Sequence, residues 1–160
     1  MPVRQKITPF LWFDHQAEEA ANLYVSLFAD SQITGVTRYG AGGPAPAGSV
    51  MTVQFQLAGL PFIALNGGPV FQFTEAFSMS VDCETQAEID ELWEALCAGG
   101  TAGRCGWLKD RFGLSWQIIP KGLGSLLGNP DPAKSQRAMQ AMLAMSKLDI
   151  ETLQRAADGV

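Results

Sequence analysis

The sequence predicts an α+β fold made of two βαβββ units followed by C-terminal helices, and three observations carry that expectation. A strand, a polar junction and a helix occur in that order twice: Ile7 to Phe13, Asp14 and Gln16 to Phe28, then Phe77 to Val81, Asp82 with Glu84, and about Thr85 to Ala98. A shift of 70 residues lays Gln16-Ala17-Glu18 on Gln86-Ala87-Glu88 and Leu23 on Trp93. A shift of 54 lays Gly59-Leu60-Pro61-Phe62-Ile63-Ala64-Leu65 on Gly113-Leu114-Ser115-Trp116-Gln117-Ile118-Ile119. The two shifts differ as a longer loop in the first half would make them differ, and internal similarity of this kind marks duplication. The expected organisation is one domain over residues 1–128, with repeats at about 6–68 and 76–120, and a helical extension over 129–160.

Each element has its own signal. Ile7 to Phe13 is apolar and contains Pro9, which cannot donate to a ladder, so it reads as an edge or end strand. Asp14 stands at an N-cap position, and Ala17, Ala20, Ala21, Tyr24, Leu27 and Phe28 recur at helical spacing. Ile33 to Tyr39 is β-branched and weakly alternating. Gly40 to Gly48 is a Gly/Pro/Ala loop, either a lid or a long hairpin connection. Ser49 to Leu57 alternates with period two, a turn at Ala58-Gly59 follows, and Pro61 to Leu65 is the next strand, ended by Asn66-Gly67-Gly68-Pro69.

In the second half Ala87, Ile89, Leu92, Trp93 and Leu96 form one helix face, stopped by Gly99-Gly100. Cys105 to Pro120 reads as two antiparallel strands flanking Asp110-Arg-Phe-Gly113, with Gly113 at the position needing positive φ. Asp131 to Ala157 is helical, and Asp149 caps a second short helix within it. The methionine-rich part of this tail is expected to cover the sheet of a symmetry-related chain, making a homodimer.

Composition narrows the function. The 160 residues are 47% hydrophobic and 17% charged, with net charge −5; no Lys/Arg cluster exists, which argues against nucleic acid or an acidic membrane surface as partner. No apolar run is long enough to span a membrane, and the N-terminus lacks the apolar region of a secretory signal. Cys83, Cys97 and Cys105 form no C-x-x-C, so a reduced, cytoplasmic protein is expected. A small organic molecule is the expected partner.

Two βαβββ units can pair edge to edge into one curved mixed sheet whose concave face encloses a cleft. Ile7-Thr-Pro-Phe-Leu-Trp-Phe-Asp14, Ala17-Glu-Glu-Ala-Ala-Asn-Leu-Tyr24, Ala64-Leu-Asn-Gly-Gly-Pro69, Val81-Asp-Cys83 and Cys105 through Gln117 resemble the PhnB-like branch of the vicinal oxygen chelate (glyoxalase/bleomycin-resistance) superfamily. Members of that branch often carry the label of a 3-demethylubiquinone-9 3-methyltransferase domain. The resemblance covers Ile7 to Ala157 and implies this curved-sheet architecture. It also implies metal-ligand positions on the first and last strand of each unit, which the alignment puts at about Ile7, Ile63, Phe77 and Gln117. Three apolar side chains and an amide do not supply the imidazole, carboxylate or thiolate such an ion requires, so no metal and no other cofactor is expected. Methyl transfer is not expected either, because Asp14-His15-Gln16 after the first strand lacks the glycine-rich turn of the common S-adenosylmethionine site.

Period-two alternation assigns Ile7, Pro9 and Leu11, Ile63 and Leu65, Phe77, Met79 and Val81, and Ser115, Gln117 and Ile119 to the cleft face. The candidate ligand-contacting residues are therefore Leu11, Ile63, Leu65, Asn66, Phe77, Met79, Cys105, Trp107, Ser115 and Gln117. Several have a plainer alternative. Gln117 either bonds its neighbours or touches a ligand, and Trp107 is either core, dimer interface or a stacking platform. Cys105 has no base near it in sequence, Asn66 with its two glycines is either a turn or a functional loop, and Asp110 and Arg111 serve a hairpin tip. Two functions follow: a metal-independent protein that binds or transforms a small apolar or aromatic molecule, or a homodimer that sequesters one without chemistry.

Overall fold

The computed structural model describes residues 5–160. The elements run β1 (Phe10–Phe13), α1 (Ala17–Leu27), β2 (Gln32–Arg38), β3 (Val50–Leu57), β4 (Leu60–Asn66), β5 (Ser78–Cys83), α2 (Gln86–Cys97), β6 (Thr101–Ala102), β7 (Trp107–Lys109), β8 (Ser115–Pro120), α3 (Leu123–Leu127), α4 (Pro132–Leu143) and α5 (Ile150–Asp158). Two βαβββ units are therefore present, with strand orders β1-β4-β3-β2 and β5-β8-β7-β6 in two four-stranded sheets. In each, the first strand is parallel to the last and the others are antiparallel. The ladders reproduce the two sequence shifts: Phe10 pairs with Ile63, and Ser80 and Gln117, which lie 70 and 54 residues further on, pair with each other. The chain divides into compact units between Gln72 and Phe73, and the C-terminal helices belong to the second.

In the first unit α1 buries Ala17, Ala20, Ala21 and Tyr24 against the sheet. Leu11, Phe13, Val53, Phe55, Leu57, Phe62 and Ala64 complete that core, with Phe55 and Phe62 stacked at 5.5 Å. Asp14 does not cap α1 as expected. The helix has no side-chain cap from Gln16 either; instead the Ala17 N–H donates to Asn66 Oδ1 at 2.8 Å. A residue 49 positions away thus takes the capping role. The Gly40 to Gly48 loop closes the β2–β3 hairpin: Tyr39 and Ser49 bond through their backbones, Gly48 N–H donates to Tyr39 O, and Arg38 donates to Gly48 O.

In the second unit α2 buries Ile89, Leu92 and Leu96, and Thr85 caps it by accepting from Glu88 N–H. Trp116, Ile118 and Leu108 lie in the same core. Asp110 is buried rather than solvated. Its Oδ1 accepts the Phe112 and Leu114 N–H groups and its Oδ2 accepts the Trp116 indole N–H at 2.9 Å. Gly113 has φ +90°, as its turn position requires. Cys105 and Gly106 both have positive φ, and Trp107 N–H returns to Arg104 O. This is the sign pattern of a type I′ turn, and it joins β6 to β7.

The tail packs on its own unit. Leu123, Leu148 and Leu153 form a small core with Ile119, Leu126, Leu127, Ala141, Met142 and Met145. Cys105 and Gly106 N–H groups donate to Met145 and Ser146 carbonyls. Gln86 at the start of α2 bonds Leu148 O and Ile150 N–H with its two amide atoms, and Lys147 pairs with Asp90 at 2.8 Å. The break between α4 and α5 therefore serves as an anchor, with Asp149 capping α5 as the sequence predicts. Among the described residues no helix is long and apolar enough to cross a membrane.

Candidate functional site

Strand register decides which side chains share a face, because paired residues point to the same side of a sheet. In the first unit Leu11 pairs with Ala64, whereas Phe10 and Trp12 pair with Ile63 and Leu65. Leu11 is 2% exposed beneath α1, so it does not belong to the opposite face. The phase of β1 was unreadable in sequence because all four residues, Phe-Leu-Trp-Phe, are apolar. The face opposite α1 carries Phe10, Trp12, Ile63 and Leu65, with Thr52 and Gln54 beside them on β3. Trp12 donates its indole N–H to Gly68 O and meets Phe71 edge-on at 4.9 Å. Gly67 is fixed by this packing, since a Cβ there would lie 2.3 Å from the indole.

Asn66, a candidate contact residue, is fully engaged in the fold. Besides accepting from Ala17 N–H it donates from Nδ2 to Val50 O at 3.1 Å, and its carbonyl accepts the Tyr39 hydroxyl.

In the second unit Ser78, Ser80 and Asp82 pair with Ser115, Gln117 and Ile119. Trp107 and Lys109 pair with Gln117 and Ser115 from the other side. These residues form the face opposite α2. Met79 pairs with Trp116, which places it on the α2 side and corrects its assignment to the cleft. Phe77 precedes β5 and is 44% exposed. Cys105 occupies the turn before β7. The structure thus brings Trp107, Ser115 and Gln117 together, and adds Ser78, Ser80 and Lys109, which the sequence reading missed. The signal was present: Ser-Met-Ser-Val-Asp at 78–82 alternates polar with apolar, and the apolar positions face the helix.

The polar groups of this face are unevenly paired. Gln117 Nε2 donates to Ser78 Oγ at 2.9 Å. Ser115 is 1% exposed, yet its Oγ has no hydrogen-bond partner. A buried hydroxyl left unmade costs about 1–3 kcal/mol, and most buried polar groups avoid it. Lys109 Nζ lies 2.5 Å from Glu75 Oε1, and the hydrogen bond from Lys109 holds the Glu75 carboxyl below its usual range.

Metal-ligand positions move with the register. Phe10 rather than Ile7 stands beside Ile63, and Ser80 rather than Phe77 stands beside Gln117. Aromatic, aliphatic, hydroxyl and amide side chains do not make a donor set for a divalent transition metal. Among the described residues no group of three or more His, Cys, Asp or Glu side chains converges.

Two grooves lie elsewhere, and the candidate residue Asn66 lines the first of them. One, about 480 Å³, runs between Asp14, His15 and Glu18, the Pro44–Pro46 stretch and Gly67-Gly68. The other, about 450 Å³, lies between Cys83, Pro120–Leu123 and the α5 residues Ile150, Leu153 and Gln154. Burial, then the charges of Glu88 and Asp82, push the Cys83 thiol up to about 11, which makes it a poor nucleophile near neutral pH. Burial also raises Cys97. Between pH 9 and about 11 the folded chain retains a Cys83 proton that the unfolded chain releases. This contribution to stability is full below pH 9 and is lost as pH rises through 11. Urea midpoints followed across that window are expected to fall less steeply in a Cys83→Ala variant than in the wild type.

A profile of the family described as 3-demethylubiquinone-9 3-methyltransferase matches residues 5–119. A solved structure described as a putative 3-demethylubiquinone-9 3-methyltransferase, PhnB protein, from Bacillus cereus is 39% identical, with a TM-score of 0.67 over 72% of this chain and 99% of that one. Protein PA1353 from Pseudomonas aeruginosa shares the fold at 21% identity and TM-score 0.60, covering 74% of this chain and 98% of that one. The fosfomycin resistance protein FosX from Listeria monocytogenes, solved with Mn(II) and sulfate, shares it at 13% identity and TM-score 0.52, over 79% of this chain and 97% of that one. No curated protein matches the chain.

Proposed function

The chain belongs to the 3-demethylubiquinone-9 3-methyltransferase family, the PhnB-like branch of the vicinal oxygen chelate superfamily, and on that premise we propose that it binds a small, largely apolar organic molecule without a metal. The proposed site is the β5-β8-β7 face opposite α2. One observation carries the reading: Trp107, Gln117 and Ser78 share that face with Ser115, whose hydroxyl is buried and unpaired. One aromatic ring beside convergent hydroxyl and amide groups can hold a small ring and orient its polar substituent.

Binding is favoured over chemistry by the groups at hand. An amide and hydroxyls orient a ligand, while the thiol of Cys83 is held protonated. Methyl transfer, the activity in the family's name, has no support in the connection from β1 to α1, which is Asp14-His15-Gln16 and contains no glycine. Nor do Phe10, Ile63, Ser80 and Gln117 support chemistry at a metal such as the Mn(II) with which FosX was solved. In this reading the protein works in the cytoplasm and as a homodimer, with the exposed Met139 and Leu143 of α4 available to a second copy.

The test is calorimetric titration of the full chain with toluene. Binding is expected to weaken at least about fivefold in Trp107→Ala, the loss of one aromatic contact. Unchanged affinity in that variant would remove the proposed face from consideration. Consumption of any tested ligand by the wild type, lost in Gln117→Ala, would instead favour an enzyme.

A further inference from the structure

Resting on the binding reading above, we infer that the ligand of the β5-β8-β7 face carries an uncharged carboxamide on a small aromatic or apolar body. The donors, acceptors and charges of this face select such a group. Gln117 spends one amide N–H on Ser78 Oγ, which leaves its Oε1 free to accept. The Ser78 hydroxyl accepts that bond and retains its own hydrogen. Ser115 retains both its hydrogen and its lone pairs. Ser78 and Ser115 are paired neighbours, and Gln117 lies two residues along the same strand face. The face therefore offers two hydroxyl donors close to one amide acceptor. A planar group with an accepting carbonyl beside a donating N–H fits that arrangement, and a carboxamide is such a group.

Charge excludes the isosteric carboxylate. Lys109, the cation on this face, is held by Glu75 at 2.5 Å. Asp82, the anion, shares the face from β5. A carboxylate bound beside Ser115 would be desolvated with no free cation to receive it, and Gln117 Oε1 would meet a second acceptor. An aliphatic or aromatic group alone would leave the Ser115 hydroxyl unpaired, and sites built to hydrogen-bond a group discriminate strongly against analogues that lack it. The ring of the ligand would lie on Trp107, the cross-strand neighbour of Gln117.

Three probes that share a phenyl ring separate these outcomes on the full chain: benzamide, the isosteric benzoate, and toluene, each titrated by calorimetry and by backbone amide NMR shifts. Benzamide is expected to bind at least about tenfold more tightly than either of the others, with shifts centred on 78–82, 107 and 115–119. Ser115→Ala is expected to weaken benzamide about tenfold and leave toluene unchanged. If Ser115→Ala does not fold, Ser78→Ala carries the same expectation. Benzoate binding as tightly as benzamide, or benzamide affinity indifferent to these substitutions, would overturn the inference. Toluene bound on this face as tightly as benzamide would overturn it too, while leaving the binding reading intact. No binding by any probe, or shifts confined to other residues, would overturn both.

Discussion

Replacing Asp110 by alanine is expected to destabilise the 73–160 unit by about 3–5 kcal/mol, the cost of leaving several buried donors without their acceptor. The carboxylate is 3% exposed and receives the Phe112, Leu114 and Trp116 N–H groups at 2.9, 3.1 and 2.9 Å. It thereby fixes the β7–β8 turn and the orientation of Trp116, among the largest fully buried side chains. Asp110→Asn retains one accepting oxygen but sets an NH2 group against either the turn or the indole. Its expected loss is smaller, about 1–2 kcal/mol. Urea unfolding followed by tryptophan fluorescence measures both. A loss below about 1 kcal/mol in the alanine variant would mean that the turn holds without the carboxylate. Because a domain is stable by only about 5–15 kcal/mol, a loss of the predicted size removes much of what holds this unit folded.

The second large effect lies in the other unit. Asn66→Ala is expected to cost about 2–3 kcal/mol, combining a lost helix cap with a broken strand-to-strand bond. Its Oδ1 caps α1 through Ala17 N–H and its Nδ2 holds Val50 O; α1 has no side-chain cap of its own to substitute. Asn66→Asp preserves the acceptor and adds a charge favourable at a helix N-terminus, but brings a carboxylate against the Val50 carbonyl. Its loss is therefore expected to be intermediate. Hydrogen exchange at Ala17 and Ala20, together with the unfolding midpoint, reads the effect directly. A variant that keeps full protection there but loses ligand affinity would make Asn66 a contact residue rather than a cap.

These two residues also mark the limit of what the sequence could disclose. The duplication was legible because Phe10 with Ile63 and Ser80 with Gln117 preserve the spacings that aligned the halves. Helix positions followed from period and, for α5, from the Asp149 cap; Thr85 and Asp131, where the helical patterns begin, cap α2 and α4. Asp110 looked like a solvated turn residue because its burial depends on a partner indole that only the folded hairpin supplies. Asn66 reads as part of an Asn-Gly-Gly turn or a functional loop, since nothing local signals a cap for a helix 49 residues earlier. The strand β6 has two residues and α3 has five, too short for any period to emerge.

The candidate site was half legible. Gln117, Ser115 and Trp107 fall together because a regular hairpin enforces period two on both of its strands. Leu11 and Met79 were misplaced for a shared reason: period two counted from Ile7 and Phe77 puts the odd-numbered residues of β1 and β5 on the open face. In β5 the reverse holds, with Met79 and Val81 turned toward α2 and Ser78 and Ser80 turned away. The face that results is more polar than expected, and its unpaired Ser115 hydroxyl became visible only once burial was known.

The most direct test of a small-molecule site on the face opposite α2 is an amide NMR titration of the full chain with benzamide. Saturable shifts are expected at 78–82 and 115–119 and at the Trp107 indole. Shifts confined to the groove between Asp14 and Pro46, to the groove beside α5, or to no residue at all would contradict it.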